Sequence, residues 1–150
     1  MRALLDPNVL ISYLLVPLGN SPVNVTVDAA LAGTYTLLLP EEVLEEVLRV
    51  AANKPYLARR IAPESVEVLL RALVEAAEVV PALEEEIPAI GRDRKDDYLL
   101  AYAAVGQADF LVSGDNDLLS LVEIAGIRIV SPAEFVGTLA AQGRFPQNDR

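Results

Sequence analysis

Short apolar runs that alternate with helical patterns are the feature that most limits what this chain can fold into. Strands are predicted at Arg2–Leu5, Tyr35–Leu39, Asp109–Ser113 and Ile127–Val130, with a weaker one at Val79–Val80. Between them the apolar residues recur at helical spacing. Strands joined in this way need right-handed crossovers, which make the sheet parallel and cover both of its faces. We therefore predict an α/β fold, a three-layer α/β/α sandwich with a mainly parallel central sheet of about five strands.

Prolines and acids mark the predicted helix starts. Pro40, Pro63 and Pro132 each open a helical pattern, because a proline in the first turn loses no hydrogen bond there. Asp93 begins a further helix, and a short one is predicted over Leu118–Ile124.

The length of 150 residues is typical of one domain, and no repeat or interdomain linker is visible. We predict a single domain over residues 1–141 and a polar tail over residues 142–150. The apolar runs are too short to cross a membrane, and the N-terminus carries only Arg2 before its first leucines, unlike a signal peptide. We expect a cytoplasmic protein that does not enter the membrane.

Two missing residue types narrow the possible chemistry. The sequence contains no histidine and no cysteine. Ser-His-Asp and Cys-His hydrolases are therefore excluded, as are zinc sites built from these side chains. Any catalysis must use carboxylates, lysine, tyrosine, serine, the backbone or a bound metal ion.

Acids from four segments can reach one edge of the predicted sheet. Asp6 follows the first strand, and Asp115 follows the Asp109–Ser113 strand. Ligands of open parallel sheets bind at these carboxyl ends. Grouped carboxylates suit Mg²⁺ or Mn²⁺, which prefer hard oxygen ligands. The other acids near this edge are Glu41, Glu42, Glu45, Glu46, Asp93, Asp96, Asp97 and Asp117.

Each of these acids also has a purely structural interpretation. Asp93 and Asp96 could form a capping box, and Asp115 and Asp117 could form a turn that caps the next helix. Asp6 is harder to explain in this way, because a carboxylate after an apolar strand is half-buried and needs a partner.

Four segments resemble the acidic motifs of PIN domains, in the same order along the chain. Residues 4–12, Leu-Leu-Asp-Pro-Asn-Val-Leu-Ile-Ser, resemble the opening motif, and residues 42–50 are similar to the second. Residues 93–103 and 108–119 resemble the third and the fourth. The resemblance extends to about Pro132, and its nearest branch is the bacterial and archaeal PIN proteins described as toxins of toxin–antitoxin pairs.

The resemblance implies a ribonuclease that hydrolyses RNA phosphodiester bonds with one or two Mg²⁺ or Mn²⁺ ions, and a cognate antitoxin as partner. The catalytic and metal-binding acids would be Asp6, Glu46, Asp96 and Asp115. Asp117 would be a further metal ligand.

Supporting roles are implied for Asn8, which would order the loop beside the first aspartate, for Ser113 and for Asp93. Pro7 departs from the family, which commonly has Thr or Ser there, so a hydroxyl and a backbone donor are lost.

Glu45 competes with Glu46 because both border the apolar face of their helix. Asp97 competes with Asp96 for the same role. The seven-residue spacing from Asp96 to Ala103 favours Asp96.

The formal net charge of −10 opposes the approach of RNA, so nearby cations would have to attract it. Each candidate cation could equally be ordinary solvated surface. The candidates are Arg49, Lys54, Arg59, Arg60, Arg94 and Lys95.

The apolar faces of Leu57–Ile61 and of the helix after Pro63, with Tyr56 nearby, predict a surface for self-association. Since PIN proteins of this kind commonly pair, we expect a homodimer. The alternative is that these helices complete one core.

Other function classes fit less well. An aspartyl phosphatase needs a second aspartate two residues after the first, where this chain has Asn8. A receiver-like regulatory domain needs a lysine after the last strand, where the chain has Val130-Ser131. A PIN fold that binds Mg²⁺ or a partner without catalysis is the main alternative.

Overall fold

The structure, a computed structural model, describes residues 1–83 and 94–144, with side chains at 1–83 and 97–144. Residues 84–93 and 145–150 lie outside this part, and with them most of the predicted Pro81–Gly91 loop, Asp93 and the end of the tail. The strands are β1 (Arg2–Leu5), β2 (Thr36–Pro40), β3 (Glu78–Val80), β4 (Phe110–Val112), β5 (Glu123–Ile124) and β6 (Ile127–Val130).

Helices flank the sheet and alternate with its strands along the chain, as the sequence predicted. They are α1 (Pro7–Leu15), α2 (Pro22–Leu31), α3 (Glu41–Asn53), α4 (Pro55–Arg60), α5 (Pro63–Ala76), α6 (Arg94–Val105), α7 (Asn116–Leu119) and α8 (Pro132–Ala141).

The described strands form one sheet in the order β3-β2-β1-β4-β6-β5. All neighbours are parallel except β5 and β6. Leu5 of β1 is in register with Val112 of β4, which is in register with Val130 of β6. Residues that follow these three strands therefore meet at one edge of the sheet, where open parallel sheets bind their ligands.

The sheet has six strands in the described part of the chain, not the five or so that we predicted. The additional strand, β5, lies in the segment Leu118–Ile124, which we had predicted to be helical. Ala125 and Gly126 have φ angles of 52° and 82°, and positive φ at both central residues of a two-residue turn produces a hairpin. The chain therefore turns back and pairs β5 with β6.

The core lies between the sheet and its helices, and its strands are nearly continuous leucine and valine, as expected for a covered parallel sheet. The last helix belongs to the same core. Phe135 of α8 is fully buried and packs edge-on against Tyr35 and Phe110, with ring centroids 4.9 and 5.6 Å away. Within the residues described, no helix is long and apolar enough to span a bilayer.

Candidate active site

Asp6 is the most constrained of the predicted site residues. It follows β1 at the centre of the sheet and is only 4% exposed. The Asn8 backbone N–H donates to its Oδ1 at 3.0 Å, which caps α1, and the Ser113 hydroxyl donates to its Oδ2 at 2.8 Å. Its own N–H donates to the Val112 carbonyl. The carboxylate is thus held in one orientation by a donor from α1 and a donor from the residue that follows β4.

Asn8 and Pro7 have their effects through the backbone. The group of Asn8 that donates to the Asp6 carboxylate is its backbone N–H, and the Asn8 side chain is exposed. Pro7 is buried at the first position of α1, where a missing N–H costs nothing.

Ser113 connects two of the predicted acids. Its hydroxyl is fully buried, donates to Asp6 and accepts from the Asp115 N–H at 2.9 Å. Since the carboxyl ends of β1 and β4 are in register, this serine joins the loops that follow both strands.

Asp115 also acts as a helix cap, the structural role that the sequence left open. Its Oδ1 accepts from the Asp117 N–H at 2.9 Å at the start of α7. This bond uses one of its two carboxylate oxygens. Asp115 is half-buried, whereas Asp117 is exposed.

Glu46 and Glu45 are separated by the structure. Glu45 is exposed, whereas Glu46 is 5% exposed. The Tyr98 hydroxyl donates to Glu46 Oε1 at 3.1 Å, and the Arg49 guanidinium lies 3.8 Å from the same oxygen. Glu46 is therefore the glutamate of this pair that faces the interior.

Tyr98 is influenced by the charges of both Glu46 and Asp6. Burial raises the pKa of Tyr98, and the negative charges of Glu46, Asp6 and Glu42 raise it further. The hydroxyl thus lies within electrostatic range of both buried candidate acids, and it remains a neutral donor at physiological pH.

The choice between Asp96 and Asp97 stays open. Asp97 is 5% exposed near the start of α6. The side chains of Asp96, Arg94 and Lys95, and all of Asp93, lie outside the described part.

The donor chemistry suits a hard divalent cation, because Asp6 and Glu46 are both buried carboxylates with oxygen ligands. Among the described side chains, no group of three or more acids is placed to hold a metal ion. Asp96, the fourth acid of the predicted set, is not among those side chains.

A cleft of about 380 Å³ opens beside Asp115. Asn8, Ser12 and Asp115 make part of its lining polar, and the apolar part comes from Val9, Val23 and Pro132. A groove of about 400 Å³ between α1 and α5 is more apolar and contains none of the predicted site residues. The polar cleft is therefore the better candidate for substrate.

The predicted cations are not equally close to the acids. Arg49 is within reach of Glu46. Lys54 follows α3, eight residues beyond Glu46, which corresponds to roughly 12 Å along a helix. Arg59 and Arg60 are exposed at the end of α4, farther along the chain.

Tyr98 and Tyr102 were not among the predicted site residues. The Tyr102 hydroxyl donates to Glu42 Oε1 at 2.8 Å and accepts from the Leu83 N–H at 3.0 Å. The available signal was the matched four-residue spacing of two tyrosines on one helix and two glutamates on another.

Residues 2–117 of the chain match the PIN domain family. In the crystal structure of VapBC2 from Rickettsia felis bound to a DNA fragment from their promoter, one chain is similar in fold, with a TM-score of 0.58 and 14% sequence identity. The match covers 87% of this chain and 98% of that one, and at this identity it concerns the fold alone. No curated protein matches the sequence.

Proposed function

The chain belongs to the PIN-domain family, and from this premise we propose that it is a metal-dependent ribonuclease that hydrolyses phosphodiester bonds in RNA. PIN domains are generally nucleases that use divalent metals. The observation that carries the proposal is the buried Asp6 carboxylate, which is linked through Ser113 to Asp115. The negative charges of Asp6 and Glu46 both raise the pKa of Tyr98. The nuclease domain would span residues 1–141, since α8 completes the core.

The proposed metal ligands are Asp6, Glu46, Asp96 and Asp115, with Asp117 as a further ligand and Asp93 as support. A bound Mg²⁺ or Mn²⁺ ion would supply Lewis acidity, which lowers the pKa of water. Asp6 is held by two donors and can keep its position without reorganisation during the reaction.

Asp115 is suited to orient the attacking water. It is half-buried at the wall of the polar cleft, and its cap bond uses only one oxygen. A water held by Asp115 would attack phosphorus while the bond to the leaving oxygen breaks. One proton of that water would pass to the Asp115 carboxylate, and the leaving oxygen would take a proton from solvent. Ser113 would keep Asp115 at a fixed position relative to Asp6.

The substrate would enter through the polar cleft, with a nucleotide beside the scissile phosphate contacting Asn8 and Ser12. Arg49 would offset phosphate charge near Glu46. Lys54, Arg59 and Arg60 would contact more distant phosphates, and Arg94 and Lys95 remain candidates by sequence. Such cations are needed because the net charge is −10.

We propose the toxin role and a cognate antitoxin partner from the motif resemblance, and the fold shared with the VapBC2 chain is consistent with them. We propose a cytoplasmic location as well. A small neighbouring gene for a DNA-binding protein would support the pairing.

The apolar faces of α4 and α5, which we expected to form a surface for self-association, are buried in the core, as Leu57 and Leu73 show. We propose a homodimer through other residues of these helices, because Tyr56 and Val68 are 53% and 69% exposed. Sedimentation at micromolar concentration tests this. A single species of monomer mass at all concentrations would contradict it.

The activity is tested with purified protein, RNA and Mg²⁺ or Mn²⁺. Cleavage should stop in EDTA, and Asp6→Asn and Asp115→Asn should each lower the rate at least roughly 100-fold, since outer-shell partners of metals alone cost 10–100-fold. Asp28→Asn on α2, an exposed aspartate, is the matched control and should keep the rate. Equal cleavage in EDTA would refute the mechanism. Mn²⁺ binding without any cleavage would favour the catalytically silent alternative.

A further inference from the structure

Two tyrosine–glutamate bonds connect α6 to α3. The Tyr98 hydroxyl donates to Glu46 and the Tyr102 hydroxyl donates to Glu42, at 3.1 and 2.8 Å. The two tyrosines are four residues apart on α6, and the two glutamates are four residues apart on α3. Each helix therefore presents its two residues on one face. The two bonds are chemically alike and one helical turn apart.

The surroundings of the two bonds differ. Glu46 is 5% exposed and the bond to Tyr98 is buried, whereas Glu42 is half-buried and its bond to Tyr102 is partly buried. Tyr102 also accepts a backbone bond from Leu83, so its hydroxyl fixes the chain after β3. Tyr98 instead lies within electrostatic range of Asp6.

We propose that Tyr98 is a positioning residue that fixes the Glu46 carboxylate in the orientation needed to hold a divalent cation with Asp6. This inference rests on the proposed metal-dependent function. A glutamate side chain has three rotatable bonds, and a donor on one of its carboxylate oxygens restrains the plane of the group. Carboxylates that bind metals are typically held by such outer hydrogen bonds, and loss of one typically costs 10–100-fold in metal affinity.

A purely structural role for Tyr98 predicts a different result. The ring is buried against Tyr102, with centroids 6.2 Å apart, and Tyr98→Phe keeps this packing. If the hydroxyl only joins two helices, its loss should resemble the loss of the Tyr102 hydroxyl. If it positions Glu46, only Tyr98→Phe should weaken metal binding.

The test measures Mn²⁺ affinity of the full-length chain by calorimetry, for the wild type, Tyr98→Phe and the matched control Tyr102→Phe. We expect Tyr98→Phe to weaken binding about 10-fold or more and Tyr102→Phe to change it less than twofold. In a Glu46→Gln background, Tyr98→Phe should have no further effect on the remaining affinity. RNA cleavage by Tyr98→Phe should recover as Mn²⁺ is raised.

The outcomes separate this inference from the proposed function. Wild-type Mn²⁺ affinity retained by Tyr98→Phe would overturn the positioning role and leave the ribonuclease proposal standing. An equal loss in both variants would also overturn it, since both hydroxyls would then act only through helix packing. A wild type that binds no Mn²⁺ would overturn both proposals. Urea melts of each variant show whether the comparison is made on folded protein.

Discussion

Replacing Ser113 with alanine should destabilise the protein more than the loss of a single hydroxyl group usually does. The Ser113 hydroxyl is fully buried, donates to the Asp6 carboxylate and accepts from the Asp115 N–H. A bond to a charged group contributes about 1.5–3 kcal/mol, and a neutral backbone bond contributes about 0.5–1.5 kcal/mol. Together they predict a loss of roughly 2–4.5 kcal/mol from the free energy of unfolding.

The assay is urea unfolding in EDTA, so that no metal contributes. Ser120→Ala is the matched control, because the exposed Ser120 hydroxyl donates only to the Asp117 carbonyl in the described structure. Its loss should cost less than about 1 kcal/mol, as an exposed group can bond to water instead. Unfolding free energies of the two variants within about 0.5 kcal/mol of each other would refute the view that Ser113 holds the two loops together.

Three further predictions concern single side chains. Glu46→Gln should remove most Mg²⁺-dependent RNA cleavage, whereas Glu45→Gln should retain it, because only Glu46 faces the interior; equal losses in a cleavage assay would contradict this. Asp96→Asn should leave the metal-free protein as stable or more stable, because gathered carboxylates repel one another. If Asp96 only caps a helix, the same substitution should instead lower the free energy of unfolding in urea melts by about 0.5–2 kcal/mol and leave RNA cleavage unchanged. Burial and the bond to Asp28 raise the pKa of Tyr13 to about 12. Because the folded pKa exceeds the ordinary value of 10, this stabilisation is complete below pH 10 and is lost as pH rises to 12. Tyr13→Phe should lack that loss in alkaline melts, and an unchanged pH profile would contradict the assignment.

Much of the fold could be predicted because most of the strands have clear sequence boundaries. The apolar runs of β1 and β6 end at Asp6 and Ser131, and both strands have the predicted limits. The two-residue strand β5 was missed because it is too short to show a periodicity. It depends on the positive φ angles at Ala125 and Gly126, which an Ala-Gly sequence does not require.

The site could be predicted less completely, because part of it depends on contacts between distant helices. Asp6 and Asp115 were expected together since parallel strands end at one edge, and the bonds through Ser113 connect their loops. Helical periodicity alone left Glu45 and Glu46 equivalent. What distinguishes them is burial against Tyr98, a residue 52 positions away whose contact follows only from how α3 and α6 pack.

The central claim is that Asp6, Glu46, Asp96 and Asp115 converge on a divalent cation. Anomalous diffraction from crystals grown with Mn²⁺ tests it most directly. The account predicts a peak about 2.0–2.3 Å from the Asp6 carboxylate, with all four carboxyl groups within about 8 Å of one another, directly bound or joined through water. A peak elsewhere on the molecule, or an Asp96 side chain on the opposite face of the sheet, would contradict it.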